Sequence, residues 1–113
     1  MREITTTAGW KALVKTSEQM PVLVLKHSTR CPVSGAAYND FLRFFEASPA
    51  GVEGAFVKVV ENRAVSNAMA EDTGVRHESP QVYLLVGGRA VWHTSHHGIT
   101  ETALSQALND LGA

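Results

Sequence analysis

The chemistry in this chain centres on its single cysteine, Cys31, in the segment Cys31-Pro32-Val33-Ser34. A thiolate, not a thiol, is the attacking species in disulfide chemistry. Two local features favour that anion. Pro32 reads as the first residue of a helix, where its missing N–H would have had no partner, which leaves Cys31 in the capping position. The helix's free N–H groups and the positive end of its dipole stabilise an anion there. Arg30 adds a full positive charge next door. Ser34 lies one helical turn on, where its hydroxyl can donate to the thiolate but cannot resolve a disulfide. A lone cysteine is usually a small buried hydrophobe. An inert one has no need of this setting, so the segment reads as a reactive monothiol.

Other polar residues leave alternatives open. Ser28 and Thr29 read either as loop caps or as donors to the site. His27 either polarises Cys31 or simply finishes a strand. His93, His96 and His97 form an H-x-x-H-H set whose neutral imidazoles suit zinc, copper or nickel. A polar loop after an edge strand is the simpler reading, and no metal site is assigned.

The elements that must position these residues follow from periodicity. Trp10, Leu13 and Val14 give a helical stripe within a first helix from Thr5 to Glu18. Pro21 to Lys26 is a short unalternating run of the kind that forms a strand covered on both faces. A helix from Pro32 carries Val33, Ala37, Phe41 and Phe45 four apart, with Ala36, Leu42 and Phe44 widening the stripe, and ends by Ala47, before Pro49 and Gly51. Ala55 to Val60 reads as a second buried strand, which completes a crossover unit. A third helix runs from about Arg63 to Thr73, with Val65, Ala68 and Met69 inward and Gly74 as its stop.

Val75 to Pro80 is a loop. Gln81 to Val86, Gly87-Gly88 and Arg89 to His93 read as a hairpin. Past a histidine-rich loop, Thr100 caps a last helix bearing Ala103, Leu104, Ala107, Leu108 and Leu111. A parallel crossover pair, then a helix, then an antiparallel hairpin and a helix predicts one α/β domain of thioredoxin-like type, a mixed central sheet flanked by helices. In that fold a cis-proline precedes the third core strand and faces the active cysteine. The residue before it offers its backbone to a bound thiol compound. Ser79 and Pro80 occupy those positions.

Composition narrows the function classes. A chain of 113 residues is the size of one domain, and 44% hydrophobic with 19% charged residues excludes disordered and fibrous classes. A net charge of −1 removes the electrostatic case for nucleic acid or an anionic membrane. The longest apolar run, Val22 to Leu25, is far too short to span a bilayer, and the N-terminus has no signal-peptide apolar region. One cysteine forms neither an internal disulfide nor a cysteine-rich zinc site. A small soluble protein in a reducing cytoplasm is the expectation.

The segment His27-Ser28-Thr29-Arg30-Cys31-Pro32-Val33-Ser34 resembles the active-site segment of the YtxJ-like family, the monothiol bacilliredoxins. Val60-Glu61-Asn62-Arg63, Val65-Ser66-Asn67, Gly74 through Gln81 (with His77-Glu78-Ser79-Pro80) and Trp92 to His96 extend the likeness over nearly the whole chain. Arg30 departs from the threonine associated with that position. The resemblance implies a thioredoxin-like enzyme that removes bacillithiol from mixed disulfides on client proteins, with bacillithiol as co-substrate and no resident cofactor. It implies Cys31 as nucleophile, Ser34 as its non-resolving partner and Pro80 as the cis-proline. Ser28, Arg30, Pro32, Ser79 and Pro80 are then the expected substrate contacts. Two other readings compete. One is a metal or iron–sulfur carrier like the monothiol glutaredoxins, which have glycine where this chain has Pro32. The other is a non-catalytic binding module.

Overall fold

The computed structural model describes residues 1–47 and 49–112. In chain order the elements are β1 (Arg2–Glu3), α1 (Thr7–Thr16), β2 (Val22–His27), α2 (Pro32–Glu46), β3 (Glu53–Lys58), α3 (Arg63–Thr73), β4 (Gln81–Val86), β5 (Arg89–Ser95), a single 3-10 turn (His96–Gly98) and α4 (Glu101–Leu111). They build one α/β domain around a mixed sheet of strand order β1-β3-β2-β4-β5.

The continuous apolar run dictates the centre. All six residues of β2 are buried, flanked by parallel β3 on one side and antiparallel β4 on the other. Alternation sends Val22 and Val24 to one face, where Trp10 and Leu13 of α1 and Val65 and Met69 of α3 pack. Leu23 and Leu25 go to the other face, against Ala37, Phe41 and Phe44 of α2 and Leu104 and Ala107 of α4. Both faces of the sheet are thereby covered, and β2's C-terminal end delivers the chain directly to Cys31. The hairpin turn is glycine-dependent: Gly87 and Gly88 have φ of 61° and 80°, the left-handed pair that a two-residue turn between twisted strands requires.

Several boundaries differ from the sequence expectation for identifiable reasons. β1 is a two-residue edge strand paired in parallel with β3, too short to leave any periodicity. β3 spans Glu53–Lys58 rather than Ala55–Val60, and Val60 is exposed beyond it. Its start includes Gly54, a poor strand former, because the Phe45 ring packs where a side chain would stand. A Cβ at Gly54 would lie 2.6–2.9 Å from that ring. On α2, Ala37, Phe41 and Phe44 are buried as the stripe predicts, Ser34 is buried with them, and Val33 and Phe45 are only half-buried. On α3, Ser66 is buried and Ala68 half-buried. Leu111, expected inward, is exposed at the end of α4.

Gly54→Ala tests this packing. Phe45 is held edge-on between Phe41 and Phe44, so the ring cannot swing clear without disturbing two neighbours. Overpacking of this kind costs about 1–3 kcal/mol. A urea titration should show the loss, and pairing the change with Phe45→Leu should recover part of it. An unchanged midpoint for the single variant would mean that the ring yields freely.

Candidate active site

Cys31 occupies the N-cap of α2 with extended backbone (φ −113°, ψ 122°), and Pro32 follows as the first helical residue. The Cys31 carbonyl accepts from Gly35 N at 3.0 Å, and its N–H donates to Ser28 O at 3.3 Å. The side chain makes no capping hydrogen bond and is half-buried. The residue is therefore partly open to solvent, at a helix terminus whose N–H groups favour negative charge. Arg30 and Pro32 are exposed on the same turn, and Arg30 engages in none of the salt bridges among the described residues.

Ser34 is fully buried, and its hydroxyl is committed elsewhere than the thiol. Its Oγ accepts from Ser28 N at 2.8 Å and lies 2.8 Å from His27 Nδ1. The oxygen keeps a second lone pair and its own proton, so either tautomer of the neutral His27 ring completes the Nδ1 contact. His27 therefore both ends β2 and fastens the loop that leads to Cys31. Its ring stacks on Tyr38 at 4.6 Å between centroids, and Val59 N donates to its carbonyl at 2.9 Å. Burial first, and the Lys58 ammonium second, lower the His27 pKa below 6.5 against an opposing pull from Glu61. Both keep the ring neutral and able to accept. Thr29 Oγ1 donates to Glu61 at 3.2 Å, tying the cysteine loop to the turn after β3.

The sheet register brings the proline loop to the same end. Lys26 pairs with Gln81, so Pro80 arrives alongside the end of β2. The Ser79–Pro80 peptide is cis, and Pro80 is buried. The Ser79 hydroxyl is buried without a hydrogen-bond partner among the described residues. His96 N donates to Pro80 O at 3.0 Å, placing the 3-10 turn beside the proline. Cys31, Ser28, Ser34, Ser79 and Pro80 thus converge on the C-terminal end of β2. The histidines do not gather: His93 is exposed on β5, and His96 and His97 are exposed in the turn. Among the described residues, no three or more His, Cys, Asp or Glu side chains are grouped so as to hold a metal ion.

Residues 2–104 match the family model for the monothiol bacilliredoxin BrxC. The chain belongs to the monothiol bacilliredoxin family. A solved structure described as having a thioredoxin fold and assigned provisionally to the oxidoreductases shares 32% identity. It covers 95% of this chain and 92% of its own, with a TM-score of 0.85. Fasciola hepatica thioredoxin superposes with a TM-score of 0.78 at 19% identity, over 97% of this chain and 98% of its own. Mitochondrial thioredoxin 3 from Saccharomyces cerevisiae, in its oxidised form, gives 0.75 at 15% identity, over 97% and 94%. The last two share the fold. Family and fold together make this bacilliredoxin a thioredoxin-like oxidoreductase, and its sequence holds one cysteine.

Sequence reasoning missed Tyr38, Glu61 and Gln81. Gln81 is buried and reads the proline loop from inside. Its Nε2 donates to Arg76 O at 3.0 Å, and its Oε1 accepts from Glu78 N at 3.4 Å. The available signal was a polar residue opening an otherwise apolar strand.

Ser34→Ala strands the part-buried Ser28 N–H and the buried His27 ring, at a cost of about 1–3 kcal/mol. Denaturant titration should register the loss. If stability is unchanged, the serine does not hold the loop. The neutral His27 contact is complete above pH 6.5. The unfolded chain protonates this histidine first as pH falls, so the contribution is lost through the lowered native pKa. NMR titration should place the His27 midpoint below 6.5, and a midpoint at or above that value would contradict the buried neutral ring.

Proposed function

We propose that this chain removes bacillithiol from mixed disulfides on client proteins, with Cys31 as the nucleophile. The observation that carries the reading is the half-buried cysteine at the α2 N-terminus, in a bacilliredoxin-family chain whose sequence offers no second cysteine. The Cys31 thiolate attacks the bacillithiol sulfur. The old disulfide breaks, the client cysteine leaves as thiolate, and a new Cys31–bacillithiol disulfide forms. A second low-molecular-weight thiol then attacks that adduct, restores Cys31 and carries the bacillithiol away as a disulfide. No net oxidation occurs in the first step; one disulfide is exchanged for another.

The surrounding residues fit these roles. The helix N-terminus supports the thiolate, and Arg30, exposed and free of salt bridges among the described residues, stands at the rim where an anionic group on the substrate would lie. Ser34 acts through the loop, by holding Ser28 and His27, rather than by contacting the sulfur. The Ser79 backbone and Pro80 form the opposite wall, where an extended segment of the mixed disulfide can pair. Pro32 lies exposed beside the sulfur and adds an apolar contact. A reducing cytoplasm is the compartment in which such a reaction is useful.

Intact-mass analysis after mixing with a bacillithiolated client tests the reading. One bacillithiol should move onto this chain and leave the client reduced, and the adduct should persist until another thiol is added. Oxidised glutathione should load Cys31 more slowly than oxidised bacillithiol. Cys31→Ser should abolish transfer, because a serine hydroxyl is not ionised at neutral pH. A client trapped covalently on Cys31 would mean that the wrong sulfur is attacked. Normal transfer by the serine variant would mean that the thiol is not the catalyst.

A further inference from the structure

Lys26, one residue before His27, points to the opposite face of β2 and is fully buried. Its Nζ donates to Ser66 O of α3 at 3.0 Å and lies 3.0 Å from His77 Nδ1 in the loop that leads to Pro80. The Ser66 hydroxyl lies 3.3 Å from the same Nδ1. The Tyr83 ring of β4 lies 5.6 Å from the ammonium. An ammonium has only donors. His77 Nδ1 must therefore accept, and the ring must be neutral. Placing a buried cation here is costly unless its donors are taken up, and among the described residues the loop side chain that takes one up is His77, two residues before Ser79.

We propose that Lys26, Ser66 and His77 form a latch that holds the 74–80 loop in its substrate-binding shape, with neutral His77 as the positioning residue for the Ser79 backbone. This rests on the reading in which that backbone meets the mixed disulfide. The charged and titratable groups around the latch agree with it. Burial lowers the Lys26 pKa to about 8, which leaves it an ammonium at neutral pH. The His77 residue is exposed overall but turns Nδ1 to the part-buried Lys26 contact; partial burial first, then Lys26 and Arg63 of α3, lower it from 6.5, with Glu78 of its own loop opposing. Tyr83 is kept un-ionised, pushed up to about 12 by burial. Protonating His77 sets an N–H against the Lys26 ammonium and opens the latch. Docking should therefore weaken as pH falls below 6.5, while the thiol itself remains in place.

Single-turnover transfer from a bacillithiolated peptide, measured against peptide concentration, separates docking from chemistry. His77→Leu and Lys26→Met should each raise the half-saturating concentration about tenfold, the worth of one hydrogen bond to a charged group. The limiting rate and the iodoacetamide alkylation of Cys31 should stay within about twofold, since neither change reaches the sulfur. Methionine fills the buried volume of Lys26, so Lys26→Met should fold. His77→Asn offers an acceptor at the same distance from the backbone and does not titrate. Its half-saturation should match wild type at pH 7.5 and stay flat down to pH 5.5, where that of wild type climbs.

Unchanged half-saturation in His77→Leu and Lys26→Met would overturn the latch. So would a pH dependence that survives in His77→Asn. If the wild-type chain transfers nothing, the debacillithiolation reading fails instead, and amide exchange decides the latch. His77→Leu should then speed exchange of the 76–79 amides and His77→Asn should restore it; exchange indifferent to both would reject the latch.

Discussion

The last two residues of β2 carry the constraint on which the site depends. Lys26 and His27 are polar, fully or nearly buried, and sent to opposite faces of the sheet by the alternation of the strand. Buried polar groups must find partners or cost free energy. The partners available at the end of a strand are loops. On one face His27 takes Ser34, whose Oγ also accepts from Ser28 N; on the other Lys26 takes Ser66 and His77. A strand that ended in two more aliphatic residues would pack as well, yet it would take one anchor away from each loop.

That arrangement separates holding from reacting. Ser34, one turn beyond the thiol, is spent on the loop, which leaves the helix terminus as the local source of stabilisation for the sulfur. The helix is fixed in turn by Ala37 and Phe41 against Leu23 and Leu25, and by Tyr38 stacked on His27. The N-terminus of α2 thus points from a rigid base into solvent. Ligand sites in α/β sheets gather outside the carboxyl ends of parallel strands, and the cysteine loop, the Glu61 turn and the start of β4 meet there.

A monothiol exchange also benefits from this division. With no second cysteine in the sequence to resolve the adduct, the product must wait for an external thiol. Cys31 itself is half-buried, neither sealed in the core nor fully exposed. The 3-10 turn bonded to Pro80 through His96 N borders the same end of the sheet.

The elements with strong local signals were legible before any coordinates. Pro32 after Cys31 marked the helix start, Gly87-Gly88 marked the hairpin, Thr100 marked the last cap, and the aliphatic run marked the central strand. Each is a local preference or a period written into a few neighbouring residues. The place of Cys31 at a helix N-terminus was legible for the same reason, since a cap position is a local feature. Tertiary structure decided the rest. Only strand pairing set β3 two residues earlier and created β1, because register depends on a partner distant in sequence. Only packing turned Ser34 inward and gave it His27 and Ser28 as partners. Only the sheet could bring His77 to Lys26 across 51 residues of chain, for no spacing rule relates side chains that meet through three dimensions.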